Sequence, residues 1–242
     1  MSPPSNQAQT PAQRDAVRPL TTVALPNLEI TLQAADILRN LGVPPDTAPP
    51  PDLVRQIGKL LREAKGHLRP AGAYSIYLPG AWTARSFEIG GCTIAGNVRD
   101  VFKGADRIAV FVATAGDEIE RQVKMRRDAG DASAGRILDA IGSWAAERAA
   151  EALVTQMGAH LGPGESFTAR YSPGFCGMEL SEQRTLFRLV PAGAVGITLL
   201  PSLFMQPLKS ISGFIGLGPR SAVGVHLSPC ELCPLTGCHM RR

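Results

Sequence analysis

Apolar residues along the chain recur at two spacings, which together predict a mixture of strands and helices. Stretches of alternating or wholly apolar, β-branched residues are typical of strands, and several are bounded by Pro-Gly or Gly-Gly turns. The clearest is 108–113, an unbroken apolar run that suits the centre of a sheet. The predicted strands are 74–78, 87–94, 108–113, 195–200 and 210–218, and residues 27–41 are predicted to pass from a strand into a helix.

Helical spacing predicts further elements between these strands. Ser181 is a candidate cap for one of them, and Thr114 with Asp117 three residues on resembles a shortened capping box. The predicted helices are 54–61, 133–161 and 180–190, with another directly after Asp117.

The longest predicted helix carries a carboxylate away from its apolar face. At about 100° per residue, Glu147 points almost directly away from that face. The apolar face consists of Leu138, Ile141, Ala145, Ala149 and Ala152. The residues around Glu147 are the small Ala140, Ser143 and Ala150. Their size leaves room for a close-packed helix or for a ligand.

Helices and strands do not alternate strictly along the chain, which argues against a doubly wound fold. We predict an α+β fold with a mainly antiparallel, twisted sheet and flanking helices. The expected divisions are a disordered arm at 1–26, an α/β lobe at 27–104, a ligand-binding domain at 105–225 and a cysteine-rich tail at 226–242.

Composition narrows the class of protein. The chain has 242 residues, of which 44% are hydrophobic and 19% charged, as in an ordinary globular protein. Its formal charge of +4 is spread along the sequence, so we expect no nucleic-acid partner. No apolar run approaches the length of a membrane-spanning helix and the first residues lack a signal-peptide core, so we expect a cytoplasmic protein with no membrane partner.

The most specific segment for chemistry is Arg170-Tyr-Ser-Pro-Gly-Phe-Cys-Gly177. Pro173 and Gly174 fit the central positions of a type II turn, where glycine supplies the positive φ. Such a turn exposes backbone N–H groups beside Arg170, whose guanidinium can pair with a carboxylate through two parallel bonds. The alternative is an ordinary surface turn with a solvated arginine.

This segment resembles the Arg-x-x-Pro-Gly-Tyr motif in the reactivation domain of cobalamin-dependent methionine synthase, with Phe175 in place of the tyrosine. A second segment, Ser202-Leu-Phe-Met-Gln-Pro-Leu-Lys-Ser-Ile-Ser-Gly213, is similar to the family's Ser-x-x-Met-x-Pro-x-x-Ser-Val-Ser-Gly. The helix with Glu147 resembles a family helix that carries a ligand-contacting glutamate. The resemblance covers roughly residues 105 to 218.

The resemblance implies a site for S-adenosylmethionine (AdoMet). Arg170 would hold its carboxylate, and Glu147 would take its ammonium or a ribose hydroxyl. The backbone of Pro173, Gly174, Phe175 and Cys176 and the Phe175 ring would line the adenosine. Two alternatives stay open for the helix: Glu147 is simply solvated, or the alignment shifts to Glu151. Ser210 and Ser212 are expected to be structural hydroxyls in a tight strand.

The resemblance further implies an accessory protein that supports reductive methylation, and so reactivation, of a corrinoid-dependent methyltransferase. The chain is too short for folate, homocysteine and cobalamin modules and lacks an Asp-x-His-x-x-Gly segment to ligate cobalt. Cobalamin would therefore be on a partner, a corrinoid-binding protein or methyltransferase, with electrons from a flavodoxin or a reductase. Phe175 lacks the motif tyrosine's hydroxyl, and Ile215 stands where the family has an aromatic residue.

Three cysteines near the C-terminus suggest a different function. Cys230, Cys233 and Cys238 could place three thiolates on an iron–sulfur cluster or a zinc ion, with Cys92, Cys176, His226 or His239 as a fourth ligand. Alternatively, they are reduced structural or redox-active thiols. The second functional hypothesis is therefore a metal or cluster protein that delivers electrons or senses redox state. A third is a regulatory domain that binds AdoMet as a signal.

Overall fold

The computed structural model describes residues 17–44, 46–175 and 177–223. Its largest element is a five-stranded antiparallel sheet in the order β1-β2-β5-β9-β6, accompanied by two short hairpins. The strands are β1 Thr21–Leu25, β2 Ala71–Tyr77, β3 Ser86–Ile89, β4 Cys92–Ala95, β5 Arg107–Thr114, β6 Glu165–Phe167, β7 Thr198–Leu199, β8 Met205–Gln206 and β9 Ser210–Pro219.

The helices lie on both sides of this sheet. They are α1 Ala34–Asn40, α2 Pro51–Ala64, α3 Val98–Val101, α4 Glu118–Asp128, α5 Ala132–Met157, α6 Gln183–Leu189 and α7 Arg220–Val223. Short 3₁₀ turns occupy Gly158–His160, Leu180–Glu182 and Ala192–Val195. The predicted α+β class with an antiparallel sheet is confirmed.

Strand β5 lies at the centre of the sheet because it is apolar on both faces. Val110 and Val112 point to one side and Ala109 and Phe111 to the other, and all four are fully buried. The strand pairs with β2 and β9 along its whole length. A sheet covered on both faces needs such a strand, which the unbroken run at 108–113 predicted.

Helix α5 covers one face of the sheet at close range. Its Ala145, Ala149 and Leu153 are fully buried. A Cβ on Gly72 of β2 would lie 2.9 Å from a methyl group of Leu153, so this glycine allows the helix to approach. Small residues on α5 thus keep its backbone near the sheet, and this sets the distance between the sheet and the polar face of the helix.

The opposite face of the sheet is covered by the β3–β4 hairpin and α6. Phe87 of the hairpin, Leu186 of α6 and Phe214 of β9 share this core and are completely buried. Tyr171, from the chain beside β9, joins the same core. This packing matters for function because it fixes the direction of the residues next to Tyr171.

Several local expectations were wrong. Residues 21–25 were assigned to a disordered arm but form β1, which pairs in register with β2. Residues 27–41 were expected to pass from a strand into a helix; the helix forms at Ala34–Asn40, but no strand precedes it within that range. The Thr114 hydroxyl accepts a bond from Gly116 N and does not cap α4. Ser181 lies inside a 3₁₀ turn. Strands from both sides of the expected division at residue 104 join the same sheet.

Candidate ligand-binding site

Arg170 and Glu147 lie together at one edge of the sheet. The Arg170 guanidinium donates from Nη2 to Glu147 Oε2 over 2.9 Å. The next residue, Tyr171, pairs with Phe214 of β9 in both directions, at 2.9 and 2.8 Å between N and O. Its ring is buried in the core opposite α5. Because successive side chains of an extended chain point to opposite sides, Arg170 is directed toward α5 and Glu147.

The segment that follows forms the predicted turn. Phe175 N donates to Ser172 O over 3.0 Å, and Gly174 has a φ of +89°. This geometry confirms a type II turn with Pro173 and Gly174 at its centre. Gly174 N donates to Met178 O over 3.0 Å. Two N–H groups expected to face a ligand are therefore used within the loop, which also engages the carbonyl oxygens of Ser172 and Phe175.

The glycine of the second motif, Gly213, lies directly under this segment. A Cβ there would lie 2.9 Å from Ser172 Oγ and 3.0 Å from Tyr171 O. The glycine therefore lets the edge chain lie against β9. The two motifs meet at this contact, where Gly213 lies against Ser172, 41 residues earlier in the sequence.

The serines of the second motif have structural partners, as predicted. Ser210 Oγ donates to Thr114 Oγ1 over 2.9 Å, and buried Ser212 Oγ bonds to Gln183 Oε1 over 3.0 Å. These bonds attach β9 to the end of β5 and to the start of α6. They contribute to the site by stabilising β9, the strand on which the Arg170 segment lies.

The site is open to solvent. The side chains of Arg170 and Glu147 are 32% and 36% exposed, and Phe175 is 43% exposed. Within 17–44, 46–175 and 177–223, the Glu147 carboxylate is the one hydrogen-bonding partner of the Arg170 side chain. Each of the two side chains is therefore about one-third exposed while it is paired with the other.

The alternative carboxylate, Glu151, is engaged elsewhere. It accepts a bond from Arg148 over 2.6 Å, and Arg148 also donates to Asp36 over 3.2 Å. Arg170 makes its ion pair with Glu147. The geometry therefore favours Glu147 over Glu151 as the acidic member of the site.

The sequence analysis missed a second cation that contacts helix α5. Lys209 Nζ lies 3.0 Å from Asp139 Oδ1 and donates to Ser143 Oγ over 2.8 Å. Lys209 occupies a variable position of the second motif, so the motif gave no signal. Asp139, Ser143 and Glu147 do stand at intervals of four, which would have indicated a polar stripe on one helix face.

A separate cleft of about 620 Å³ lies at the ends of β2 and β5. Its charged lining residues are Arg69 and Asp117, and neither Arg170 nor Glu147 lines it. Gln206 and Pro207 of the second motif also line this cleft, so the cleft lies beside the second motif and apart from Arg170. The Arg170–Glu147 pair is the candidate site, because it places a partly exposed cation and a partly exposed anion side by side.

The expected metal ligands fall outside the described residues: Cys230, Cys233 and Cys238, and Cys176 of the turn, are in the undescribed parts of the chain. Among the residues that are described, no group of three or more His, Cys, Asp or Glu side chains could hold a metal ion. Cys92 is half-buried and unpaired with another cysteine there. In the same residues, no helix is long and apolar enough to cross a membrane.

Comparison with known proteins identifies a family and a shared fold. Residues 93–223 match the family model for the activation domain of vitamin B12 dependent methionine synthase. A solved structure described as "Crystal Structure of the MetH Reactivation Domain bound to AdoHcy" has a TM-score of 0.60 and 16% sequence identity, covering 92% of this chain and 86% of that one. This likeness shows a shared fold. No curated protein matches the chain. Because the family match spans more than half of the chain and includes both motifs, the chain belongs to the family of vitamin B12 dependent methionine synthase activation domains.

Proposed function

We propose that this protein binds AdoMet at the Arg170–Glu147 site and supports reductive methylation of a corrinoid-dependent methyltransferase. The observation that carries the proposal is the 2.9 Å ion pair between these residues, directly before the Pro173–Gly174 turn. Membership of the activation-domain family gives the pair its context. The solved structure that shares this fold is bound to AdoHcy.

The charges of the site fit the amino-acid end of AdoMet. A free α-amino acid presents a carboxylate and an ammonium a few ångströms apart. The accessible edge of the Arg170 guanidinium can pair with the carboxylate. The other carboxylate oxygen of Glu147 can accept a hydrogen bond from the ammonium while Oε2 stays bonded to Arg170. A zwitterion therefore extends the existing pair without requiring that it break.

The turn fits the rest of the molecule. The half-exposed Phe175 ring offers an apolar surface for a purine or ribose, and Gly174 keeps the backbone beside it free of a side chain. With Gly174 N and Phe175 N bonded inside the loop, the carbonyl oxygens of Pro173 and Gly174 are the groups that can receive an adenine amino group. Cys176, proposed as a further contact, follows at the undescribed position.

The chemistry is a methyl transfer to a corrinoid held by a partner chain. AdoMet supplies the methyl group: its carbon–sulfur bond breaks, the methyl joins the partner's cobalt after a one-electron reduction from cobalt(II), and AdoHcy leaves. The electron comes from a donor such as a flavodoxin or a reductase. The protein's own residues bind and orient AdoMet, the methyl donor. Such positioning lowers the activation barrier of the methyl transfer without an acid or base side chain from this protein.

An open site suits this role. The sulfonium methyl has to face a second protein, so the site must not close over the ligand. Exposure of about a third at Arg170 and Glu147 meets that requirement. The partner chain would complete the enclosure and exclude water.

Calorimetric titration with AdoMet and AdoHcy tests the binding step, with saturable one-site binding expected for both. No heat of binding for either at millimolar concentration would overturn the proposal. In a second assay, the chain plus a corrinoid protein in the cobalt(II) state and a reductant should accelerate methyl–cobalt formation, followed by absorbance. Methylation of homocysteine by the chain without a corrinoid partner would contradict the accessory role.

A further inference from the structure

Hydrogen bonds hold the backbone of Lys209 between the sheet and helix α4. Its N–H donates to Glu120 Oε1 over 3.0 Å. Its carbonyl oxygen accepts from Ala115 N over 2.9 Å and from the Thr114 hydroxyl over 3.2 Å. The residue is thus tied to the end of β5 and the start of α4, immediately before β9.

The Lys209 side chain crosses α5 through a gap that Gly142 leaves. A Cβ on Gly142 would lie 3.2 Å from Lys209 Cγ and 3.3 Å from its Cε. Glycine within a helix is unfavourable by about 1 kcal/mol relative to alanine. The passage of the lysine stem gives a reason for glycine at this position of a long, otherwise alanine-rich helix.

The ammonium group is held by two groups of α5. It lies 3.0 Å from Asp139 Oδ1 and 2.8 Å from Ser143 Oγ. Ser143 donates its own hydroxyl hydrogen to Asp139 O over 3.0 Å, which leaves its oxygen to accept from Lys209. The lysine side chain is 15% exposed, so this pair is better shielded than the surface pairs of α4. The other cation that faces Asp139 is Arg127, at 4.0 Å.

Asp139, Ser143 and Glu147 follow one another at four-residue intervals on one face of α5. Four residues advance a helix by about 6 Å. The same face of α5 therefore binds one cation from each motif segment. Lys209 contacts Asp139 and Ser143, and Arg170 pairs with Glu147.

We propose that Lys209 is a positioning residue for the ligand site, which anchors α5 through Asp139 and Ser143 so that Glu147 stays within reach of Arg170. The inference concerns geometry in the free protein, and its consequence for ligand binding rests on the proposed function. A lysine at a variable position of the second motif would then set how well the Arg170–Glu147 pair is preorganised.

The geometry can be tested without ligand. In ¹H–¹⁵N spectra of guanidinium groups, the Arg170 Nε–Hε signal is assigned by its loss in Arg170→Lys, and Glu147→Gln gives its unpaired position. Lys209→Met should move the signal toward that position, whereas Lys209→Arg should leave it near the wild-type position. Lys124→Met, which removes an exposed lysine paired with Asp128, is the matched control and should have no effect.

Binding of AdoHcy supplies the second readout. Lys209→Met is expected to weaken AdoHcy about 10-fold and Lys209→Arg about 2-fold or less. Should Lys209→Met unfold the chain, Asp139→Asn removes the same ion pair from the more exposed side and should give a smaller shift in the same direction.

An Arg170 signal that stays at its wild-type position in both Lys209→Met and Asp139→Asn would overturn the inference. So would AdoHcy affinity that is unchanged in a variant whose signal has moved. Absence of AdoHcy binding to the wild-type chain would instead count against the proposed function, and the ligand-free spectra would still decide the role of Lys209.

Discussion

The guanidinium of Arg170 and the carboxylate of Glu147 lie 2.9 Å apart, one on the chain beside β9 and the other on α5. The contact joins the sheet edge to the helix that covers it. Both groups keep an accessible side, so the pair is able to receive an amino-acid zwitterion. The family motif predicts the arginine at this position, but the burial of the neighbouring Tyr171 determines that the Arg170 side chain points toward α5.

Replacing Arg170 should weaken the ligand more than it weakens the fold. Arg170→Ala is expected to reduce AdoMet and AdoHcy affinity by about 1.5–3 kcal/mol, roughly 10- to 150-fold, the usual worth of a charged hydrogen bond. The measurement is calorimetric titration beside thermal unfolding. Arg55→Ala, which removes a 74% exposed arginine paired with Asp52, is the control and should leave affinity unchanged. Equal affinity of both variants would rule out the carboxylate role of Arg170.

Gly213 should tolerate no side chain. Gly213→Ala places a Cβ 3.0 Å from the backbone oxygen of Tyr171, so the edge chain must shift, at an expected cost of about 1–3 kcal/mol in the free energy of unfolding. Because the shift moves Arg170, affinity for AdoHcy should fall as well. Denaturant unfolding and titration measure the two effects.

The matched control for this variant is Gly158→Ala. Gly158 has helical φ and ψ, and an added Cβ would have nothing within 4 Å. Its stability should therefore stay the same or rise slightly. Similar stabilities for the two alanine variants would show that the close approach at Gly213 is not needed.

Glu165 should make stability depend on pH in the acid range. Bonds from Gly162 N and from the Arg107 guanidinium lower the pKa of Glu165 from its ordinary value of 4.5. A carboxylate with a lowered folded pKa stabilises the fold above its unfolded pKa, and this contribution is lost as the pH falls through the folded pKa. Glu165→Gln should therefore destabilise the protein at pH 7 and much less at pH 3.

Denaturant unfolding at several pH values measures this difference. A difference between wild type and Glu165→Gln that is the same at both pH values would contradict the prediction.

The C-terminal cysteines give a prediction on metal content. If Cys230, Cys233 and Cys238 ligate a cluster or zinc, anaerobically purified protein should contain iron with sulfide, or zinc, at about one site per chain, since three thiolates and one further ligand complete such a site. Cys233→Ser should lose the metal, and His67→Ala, at a histidine outside the proposed ligand set, should keep it. Metal-free protein with three freely alkylated thiols would refute this second functional hypothesis and leave AdoMet binding as the chemical role.

Much of the fold followed from local sequence patterns. The apolar run at 108–113 predicted the central strand, because a strand buried on both faces needs apolar residues at every position. The period of α5 predicted that Leu138, Ile141, Ala145 and Ala149 are buried, but Ala140 and Ala150 on the side of Glu147 are buried as well. The Pro173–Gly174 pair predicted its turn, since glycine tolerates the positive φ that the turn requires. These features depend on neighbouring residues alone.

Other features depended on contacts between distant residues. Strand β1 was missed because its five residues have a weak pattern, and it is a strand because β2 offers an edge for pairing. The side to which Arg170 points was decided by burial of Tyr171 in the opposite core. Lys209 occupies a variable motif position, and only the gap at Gly142 shows where its side chain lies.

The sequence by itself therefore determined which residue types stand at the site and in which local conformation. The tertiary structure decided that Arg170 pairs with Glu147 and not with Glu151, and that Lys209 also binds the helix that carries Glu147. The physical reason is that an ion pair between distant segments depends on how a sheet and a helix pack, and periodicity within either element does not record that packing.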